Sequence, residues 1–413
     1  VTGISLDDFA AAALDDLRDQ GLLRRLCSIN SPQGSRIIAD GRPVVNFSSN
    51  DYLGLANDPL LREAAVRAIE RYGVGAGASR LVCGNQVPYG ELEAKLAAFK
   101  GKQAAAVFGS GYAANVGTIC ALVGKGDTII LDKLDHASIV DGARQSGATI
   151  RVYPHGDLNK LERLLKNNRI AHAGRTLIIT ETVFSMDGDI APLREIVELK
   201  DHYGAWLMID EAHATGLYGA RRRGVAEALG VEERVEVTIG TLSKALGCIG
   251  GFVCGSRALV ELLVNRARSL IYSTALPPAM VAAASTAVEF VTNRTGEARC
   301  AKLWRRAGEL GGGLACIGET GIPPVRASQM GRRLGCSSPS GSAIIPLVLG
   351  DAALAVECSR QLFDCGFFAP AIRFPTVARG AARLRLSVTA THTTDQIRAL
   401  LGALREVAKR PQR

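Results

Sequence analysis

The chain has 413 residues, of which 47% are hydrophobic, 22% charged and 5% aromatic, an ordinary globular make-up that excludes a disordered, collagenous or disulfide-stapled chain. Lys and Arg outnumber Asp and Glu by 49 to 40, a formal charge of +9, but the basic residues are dispersed and no nucleic-acid motif accompanies them, so the excess reads as a solvated basic face. No apolar run reaches the ~18 residues of a membrane span, and the N-terminal stretch, with Asp7, Asp8, Asp15 and Asp16, lacks an apolar signal core, so a cytoplasmic protein without membrane or nucleic-acid partners is expected. The ten cysteines include no CxxC pair, and none has histidines at metal-ligand spacing; no metal site is expected.

In chain order, Leu6, Phe9, Leu14, Leu17, Leu22 and Leu26 recur at helical spacing, predicting a helix over 6–26. Residues 35–47 predict a hairpin around the Asp40-Gly41 turn. From about 51 to 290, helical stretches such as 60–72 and 90–99 alternate with short apolar runs at 104–108, 128–131, 150–153, 176–180, 206–209, 235–239 and 252–254. Strand–helix alternation of this kind predicts an α/β sheet, mostly parallel, with helices on both faces. Beyond it, helices at 301–314, 352–365 and 394–409 mix with strands at 342–349 and 382–388, a smaller α+β domain, and the Gly-, Ser- and Arg-rich residues 331–342 read as a loop. The expected division is an N-terminal helix and hairpin (1–50), a large α/β domain (51–290) and a C-terminal α+β domain (291–413).

In open α/β sheets ligands bind beyond the carboxyl ends of the strands, so the residues just beyond each apolar run carry the chemistry. The run at 206–209 leads into Asp210-Glu211-Ala212-His213. The run at 235–239 leads into Gly240-Thr241-Leu242-Ser243-Lys244, with Gly247, Gly250 and Gly251 behind it, a lysine among small residues that leave room for a bulky group. Glu181 to Gly188 come after 176–180; Gly109-Ser110-Gly111-Tyr112 come after 104–108 and open a helix, whose free N–H groups and dipole suit a phosphate. His136 lies just past the run that ends near Asp132. Singly, each has a plain structural alternative: a helix N-cap for Asp210-Glu211, a satisfied core histidine for His136, a surface Ser-Lys pair for Ser243-Lys244. Together at strand ends, a phosphate cradle, an aspartate, a histidine and a lysine are what pyridoxal phosphate needs: a lysine for the Schiff base and an acid to keep the ring nitrogen protonated.

Four segments carry a resemblance over nearly the whole chain: NFSSNDYLGL from Asn46, GAGASR from Gly75, Asp210-Glu211-Ala212-His213, and Gly240-Thr241-Leu242-Ser243-Lys244. In them the sequence resembles the α-oxoamine synthases, which are fold-type I pyridoxal-phosphate transferases. The resemblance implies that Lys244 holds the cofactor and then acts as acid and base, that Asp210 pairs with the ring nitrogen, and that His136 stacks on the ring. It further implies that Ser185 and His213 contact the ring oxygen or nearby groups, and that Gly111, Tyr112 and Thr241 hold the phosphate. Arg373 is expected to clamp the amino-acid carboxylate, a task suited to a guanidinium, with Asn50, Arg24 and Thr376 as further substrate contacts. Each of those three also has a plain reading: an Asx turn for Asn50, a solvated helix end for Arg24 and a turn residue for Thr376. Phe374 stands where the family usually has proline, and Tyr112 where phenylalanine is common.

The segments at 48–55, 75–84 and 372–377 are most similar to the family member that condenses L-alanine with a pimeloyl thioester, either pimeloyl-CoA or pimeloyl-acyl carrier protein, releasing CO2 and the free thiol. Alternatives are the glycine and acetyl-CoA pair of a sibling enzyme, or a partner subunit that binds the cofactor without catalysis; the latter expects a lost lysine, and Lys244 is present. The family's fold type also implies a homodimer in which Ser273 or Thr274 reaches the other subunit's cofactor phosphate.

Overall fold

The structure, a computed structural model, describes residues 3–171, 174–318 and 341–409. Seven strands form the central sheet in the order β3-β9-β8-β7-β6-β4-β5: β3 (Ala104–Phe108), β4 (Thr128–Asp132), β5 (Thr149–Tyr153), β6 (Thr176–Glu181), β7 (Trp206–Asp210), β8 (Val237–Thr241) and β9 (Gly251–Gly255). Pairing is parallel except along β9, which runs antiparallel to both β3 and β8. Every apolar run read from the sequence in this region is therefore a strand, and the ends of β3, β4, β6, β7 and β8 open at one edge. Successive residues of the buried strands face opposite sides. Ile130, Ile178 and Leu207 pack into one apolar layer; Ile129, Leu131, Leu177, Ile179 and Met208 pack into the other.

Helices cover both faces, and local chemistry sets their starts. Helix α1 spans Leu6–Asp19, capped by Ser5, and is shorter than the 6–26 expected: Gly21, at φ +64°, turns the chain. None of its residues is buried. Asp58 caps α2 (Pro59–Tyr72), which has proline in its first turn; α3 follows at Val87–Lys100. Ser110 Oγ accepts the Ala113 N–H at the head of α4 (Gly111–Leu122), and His136 caps α5 (Ala137–Ser146).

The hairpin forms as read, β1 (Arg36–Ala39) with β2 (Arg42–Asn46). Asp40 and Gly41 both have positive φ, 45° and 79°, the geometry a type I′ turn requires. It does not stand by itself. Phe367 and Phe368 pair in parallel with Val45 and Asn46, which joins the N-terminal hairpin to the C-terminal part of the chain. There, β10 (Ile344–Gly350), β12 (Ala371–Ile372) and β13 (Ala382–Ser387) form a second three-stranded sheet in the order β10-β13-β12, with β11 (Phe367–Phe368) completing the hairpin sheet. Of the expected loop at 331–342, residues 331–340 lie outside the described residues. Among the described residues no helix is long and apolar enough to cross a membrane.

The turn after β7 is held by an ion pair deep in the fold. Lys100, the last residue of α3, donates to Glu211 Oε2 at 2.8 Å and Thr215 Oγ1 at 2.9 Å, while Glu211 Oε1 accepts the Ala226 N–H at 3.0 Å. Both side chains are 2% exposed. Lys100→Met leaves the Glu211 carboxylate buried without its cation, so it is expected to cost about 3–5 kcal/mol, read as a lower midpoint in urea unfolding.

Candidate active site

The strand ends converge as the motifs suggested. Asp210 closes β7 and is 6% exposed. Its Oδ1 accepts the Ala212 N–H at 2.8 Å, and its Oδ2 accepts from Asn115 Nδ2 at 2.8 Å. Asn115 sits one turn into α4 and also donates to Ser138 Oγ of α5 at 2.9 Å, so a single amide ties the strand-end carboxylate to both helices. Three residues after β8, Lys244 places Nζ 2.8 Å from His213 Nε2. The ammonium donates there, which leaves the proton of the neutral imidazole on Nδ1, where it donates to Tyr52 Oη at 2.6 Å. Burial, reinforced by the charges of Lys244 and Arg385, pushes His213 well below the usual imidazole range, so the ring stays neutral. Burial also pushes the Lys244 amine down to about 8, with Asp210 and Glu181 pulling the other way.

His136 caps α5 at the mouth of the cleft, its Nδ1 2.7 Å from Ser138 Oγ. Desolvation lowers its pKa; the charge of Asp210 opposes this and that of Lys244 adds to it. Gly111 and Tyr112 head α4, where the first N–H groups of a helix have no partner within it. Thr241 closes β8 beside them: a Cβ on Gly111 would lie 3.6 Å from Thr241 Cβ, and Thr241 Oγ1 lies 2.7 Å from Ser243 Oγ. Tyr112 Oη donates to Asp141 Oδ2 at 2.5 Å, bracing α4 on α5.

The remaining expected residues gather differently. Arg24, Arg373 and Thr376 meet where α1 ends: Arg24 donates to the Phe374 carbonyl at 3.2 Å, Arg373 donates to the carbonyls of Gly21 and Leu23, and the Thr376 N–H turns back onto the Arg373 carbonyl at 3.0 Å. The guanidinium that reaches Asn50 is that of Arg385, on β13. Its Nη2 donates to Asn50 Oδ1 at 3.1 Å and lies 3.5 Å from Tyr52 Oη, its Nε donates to the Ser185 carbonyl, and the residue is 7% exposed. Arg385 lies in none of the quoted motifs, and Tyr52, though within NFSSNDYLGL, is given no role there. A signal for Arg385 is present: Arg383-Leu384-Arg385-Leu386 alternates with period two, and a buried strand that does so must find partners for its arginines. Arg383 finds Asp187 at 2.6 Å.

These residues fit pyridoxal phosphate. The amine of Lys244 is depressed and the carboxylate of Asp210 anchored. Two buried oxygens around them, Asn115 Oδ1 and Glu181 Oε1, have no hydrogen-bond partner. The cradle under the head of α4 has no spare room: a Cβ on Gly251 would clash with the Ser110 carbonyl oxygen and stand 2.6 Å from the Gly111 nitrogen.

Comparison with known proteins agrees. The family of aminotransferase class I and II matches residues 42–404. The 8-amino-7-oxononanoate synthase of Geobacter sulfurreducens is 48% identical over 399 residues, 97% of each chain. Among solved structures, serine palmitoyltransferase from S. paucimobilis with a bound PLP–myriocin aldimine is 32% identical with a TM-score of 0.86, covering 97% of both chains. The 8-amino-7-oxononanoate synthase of Francisella tularensis is 28% identical with a TM-score of 0.71, covering 89% of this chain and 98% of its own.

Gly251→Ala drives a methyl group into the Ser110–Gly111 backbone at the head of α4, where the phosphate is expected. It is expected to weaken PLP binding at least ~10-fold, about 1.4 kcal/mol, in an absorbance titration of the apoprotein. Gly312→Ala, where a Cβ meets nothing within 4 Å, is expected to leave affinity unchanged.

Proposed function

The chain belongs to the aminotransferase class I and II family, and within it to the α-oxoamine synthases; from that premise we propose that it condenses L-alanine with a pimeloyl thioester, giving 8-amino-7-oxononanoate, CO2 and the free thiol carrier, a step of biotin synthesis. The observation that carries the reading is the Lys244–His213–Tyr52 chain beside Asp210, together with relatives of that name at 42–48% identity over nearly their full length.

Bound at this site, PLP supplies an electron sink that makes the amino acid's Cα–H acidic. Lys244 is the residue that would hold the cofactor, and its Nζ would take up and return the Cα proton of the bound amino acid. Its depressed pKa suits that exchange near neutral pH. His213, held neutral, accepts from Lys244 and keeps Nζ directed into the cleft. Asp210 would pair with the ring nitrogen, His136 would cover the ring, Ser185 would meet the ring oxygen, and Gly111, Tyr112 and Thr241 would hold the phosphate. For the carboxylate that leaves as CO2, Arg385 is the better-placed cation: it is buried beside Asn50 and its charge acts on both Lys244 and His213, whereas Arg373 spends its guanidinium on backbone carbonyls. Arg24 and Thr376, exposed beside Arg373, are then assigned to the acyl chain or its carrier. The thioester suits the second half of the reaction because its carbonyl is electrophilic and its thiol leaves readily.

Oligomeric state belongs to the same proposal. The fold type implies a homodimer, in which Ser273 or Thr274, both exposed here, would reach the other subunit's cofactor phosphate.

The direct test is thiol release by the PLP-loaded protein, crossing L-alanine, glycine and L-serine with pimeloyl-, acetyl-, succinyl- and palmitoyl-CoA. Selective turnover of L-alanine with pimeloyl-CoA is expected; preference for glycine with acetyl-CoA would move the chain to the sibling activity. Lys244→Ala is expected to abolish turnover with an unchanged circular dichroism spectrum. Arg385→Ala removes charged hydrogen bonds worth about 1.5–3 kcal/mol, so the KM for L-alanine is expected to rise roughly 10- to 100-fold, against a small change for Arg373→Ala.

A further inference from the structure

Four side chains form an unbroken hydrogen-bonded line from the end of β7 to the mouth of the cleft. Asp210 Oδ2 accepts from Asn115 Nδ2 at 2.8 Å, the same amide donates to Ser138 Oγ at 2.9 Å, and Ser138 Oγ lies 2.7 Å from His136 Nδ1. Asn115 and Ser138 are 1% and 0% exposed, and neither has a part in the proposed reaction. The direction of each bond follows from the one before it. A carboxylate only accepts, so Asp210 requires the NH2 end of Asn115, even though this leaves Asn115 Oδ1 buried with no partner. Both amide hydrogens are then committed, and Ser138 Oγ, having accepted one, has its own hydrogen to give. His136 Nδ1 receives it, along with the Ser138 backbone N–H at 3.2 Å. A ring nitrogen that accepts in this way carries no proton, so the proton of the neutral ring is on Nε2. A proton on Nδ1 would face both Ser138 donors and break the cap that starts α5.

We propose that Ser138, anchored to Asp210 through Asn115, is a positioning residue that holds His136 as a neutral imidazole with its proton on Nε2. One relay thus keeps a carboxylate at Asp210 and an uncharged ring at His136. Its value to the reaction rests on the reading of this cleft as a PLP site: a pyridine ring that Asp210 keeps protonated is a cation, and it repels an imidazolium placed against it. The groups that act on the charge of His136 come from the elements around it. They are Asp210 on β7, Lys244 beyond β8, Asp141 on α5 and His213 after β7; the buried Asp135 directly precedes it, and Glu181 of β6 lies in register with Asp210. Desolvation and the Lys244 charge favour the neutral ring, as the relay does, while Asp210 and Asp141 oppose it.

The test is nitrogen-15 NMR of the full-length apoprotein with labelled histidine rings, followed from pH 5 to pH 9, with the His136 signals identified by their loss in His136→Gln. Wild type is expected to show an Nε2–H ring at pH 8 and to titrate below the usual imidazole range. Ser138→Ala removes a hydrogen bond made only to the neutral ring and is expected to raise the His136 pKa by about 0.5–1. Ser138→Thr keeps the hydroxyl and is expected to restore the wild-type value. With PLP added, the alanine variant is expected to lose at least ~3-fold more affinity than wild type between pH 8 and pH 6, the factor that a pKa difference of about 0.5 represents. The proposal is overturned if wild-type His136 carries its proton on Nδ1, a result that needs no variant to fold. It is equally overturned if Ser138→Ala leaves the His136 pKa where it was, or if the alanine variant and wild type lose PLP affinity alike. A wild type that shows the Nε2–H ring and the Ser138 dependence but binds no PLP supports the relay and overturns the cofactor reading.

Discussion

The contact between Lys244 Nζ and His213 Nε2, at 2.8 Å, is the constraint on which the site depends. A primary amine in water is an ammonium ion and a poor nucleophile. Burial in the cleft brings this one down to about 8, but a desolvated amine also needs a direction, and His213 provides it. The imidazole can do so only because it is itself neutral, and its Nδ1 proton is absorbed by Tyr52. The pair also joins separate stretches of chain: Tyr52 from before α2, His213 from the turn after β7, and Lys244 from the turn after β8. The parallel pairing of β7 with β8 sets the two turns side by side, and the buried Lys100–Glu211 pair fixes the first of them.

Around that contact the charges are apportioned rather than cancelled. The Asp210 carboxylate is held by two hydrogen bonds. Arg385 brings a positive charge from β13 of the C-terminal part of the chain, and its partners Asn50, Tyr52 and the Ser185 carbonyl lie on the N-terminal stretch and on the loop after β6. Arg383 holds that same loop through Asp187, and His155 holds it from the other side. His155 bridges Asp132 at 3.0 Å and Asp189 at 2.7 Å. Against the cost of desolvation, those two carboxylates raise its pKa to about 10. The loop that carries Ser185 is thus pinned by cations from both halves of the chain, so the C-terminal part helps to build the site and does not merely cover it.

Much of this is legible in the sequence, because strand ends announce themselves. Trp206 to Ile209 is an apolar run that stops at Asp210, and Val237 to Ile239 stops just short of Thr241 and Lys244; the sheet then has to bring those stops to one edge. The hairpin is equally plain in Asp40-Gly41. Less visible are residues whose role depends on distant partners. Tyr52 resembles any core tyrosine until His213 is placed beside it. Arg373 and Arg385 are both arginines near the same stretch of chain, and only the pairing of β12 with β13, together with burial, separates the one that meets Asn50 from the one that meets Gly21 and Leu23. The joining of the hairpin to Phe367 and Phe368 is hidden for the same reason: a two-residue strand has no period to read.

The measurement that bears most directly on Lys244 is chemical capture of the reacting amine. The PLP-loaded protein is reduced with sodium borohydride and digested, and the pyridoxyl-bearing peptide is identified by mass spectrometry. A single modified residue, Lys244, is expected. A pyridoxyl group on Lys102, Lys100 or another lysine, with Lys244 unmodified, would contradict its placement at the centre of the site.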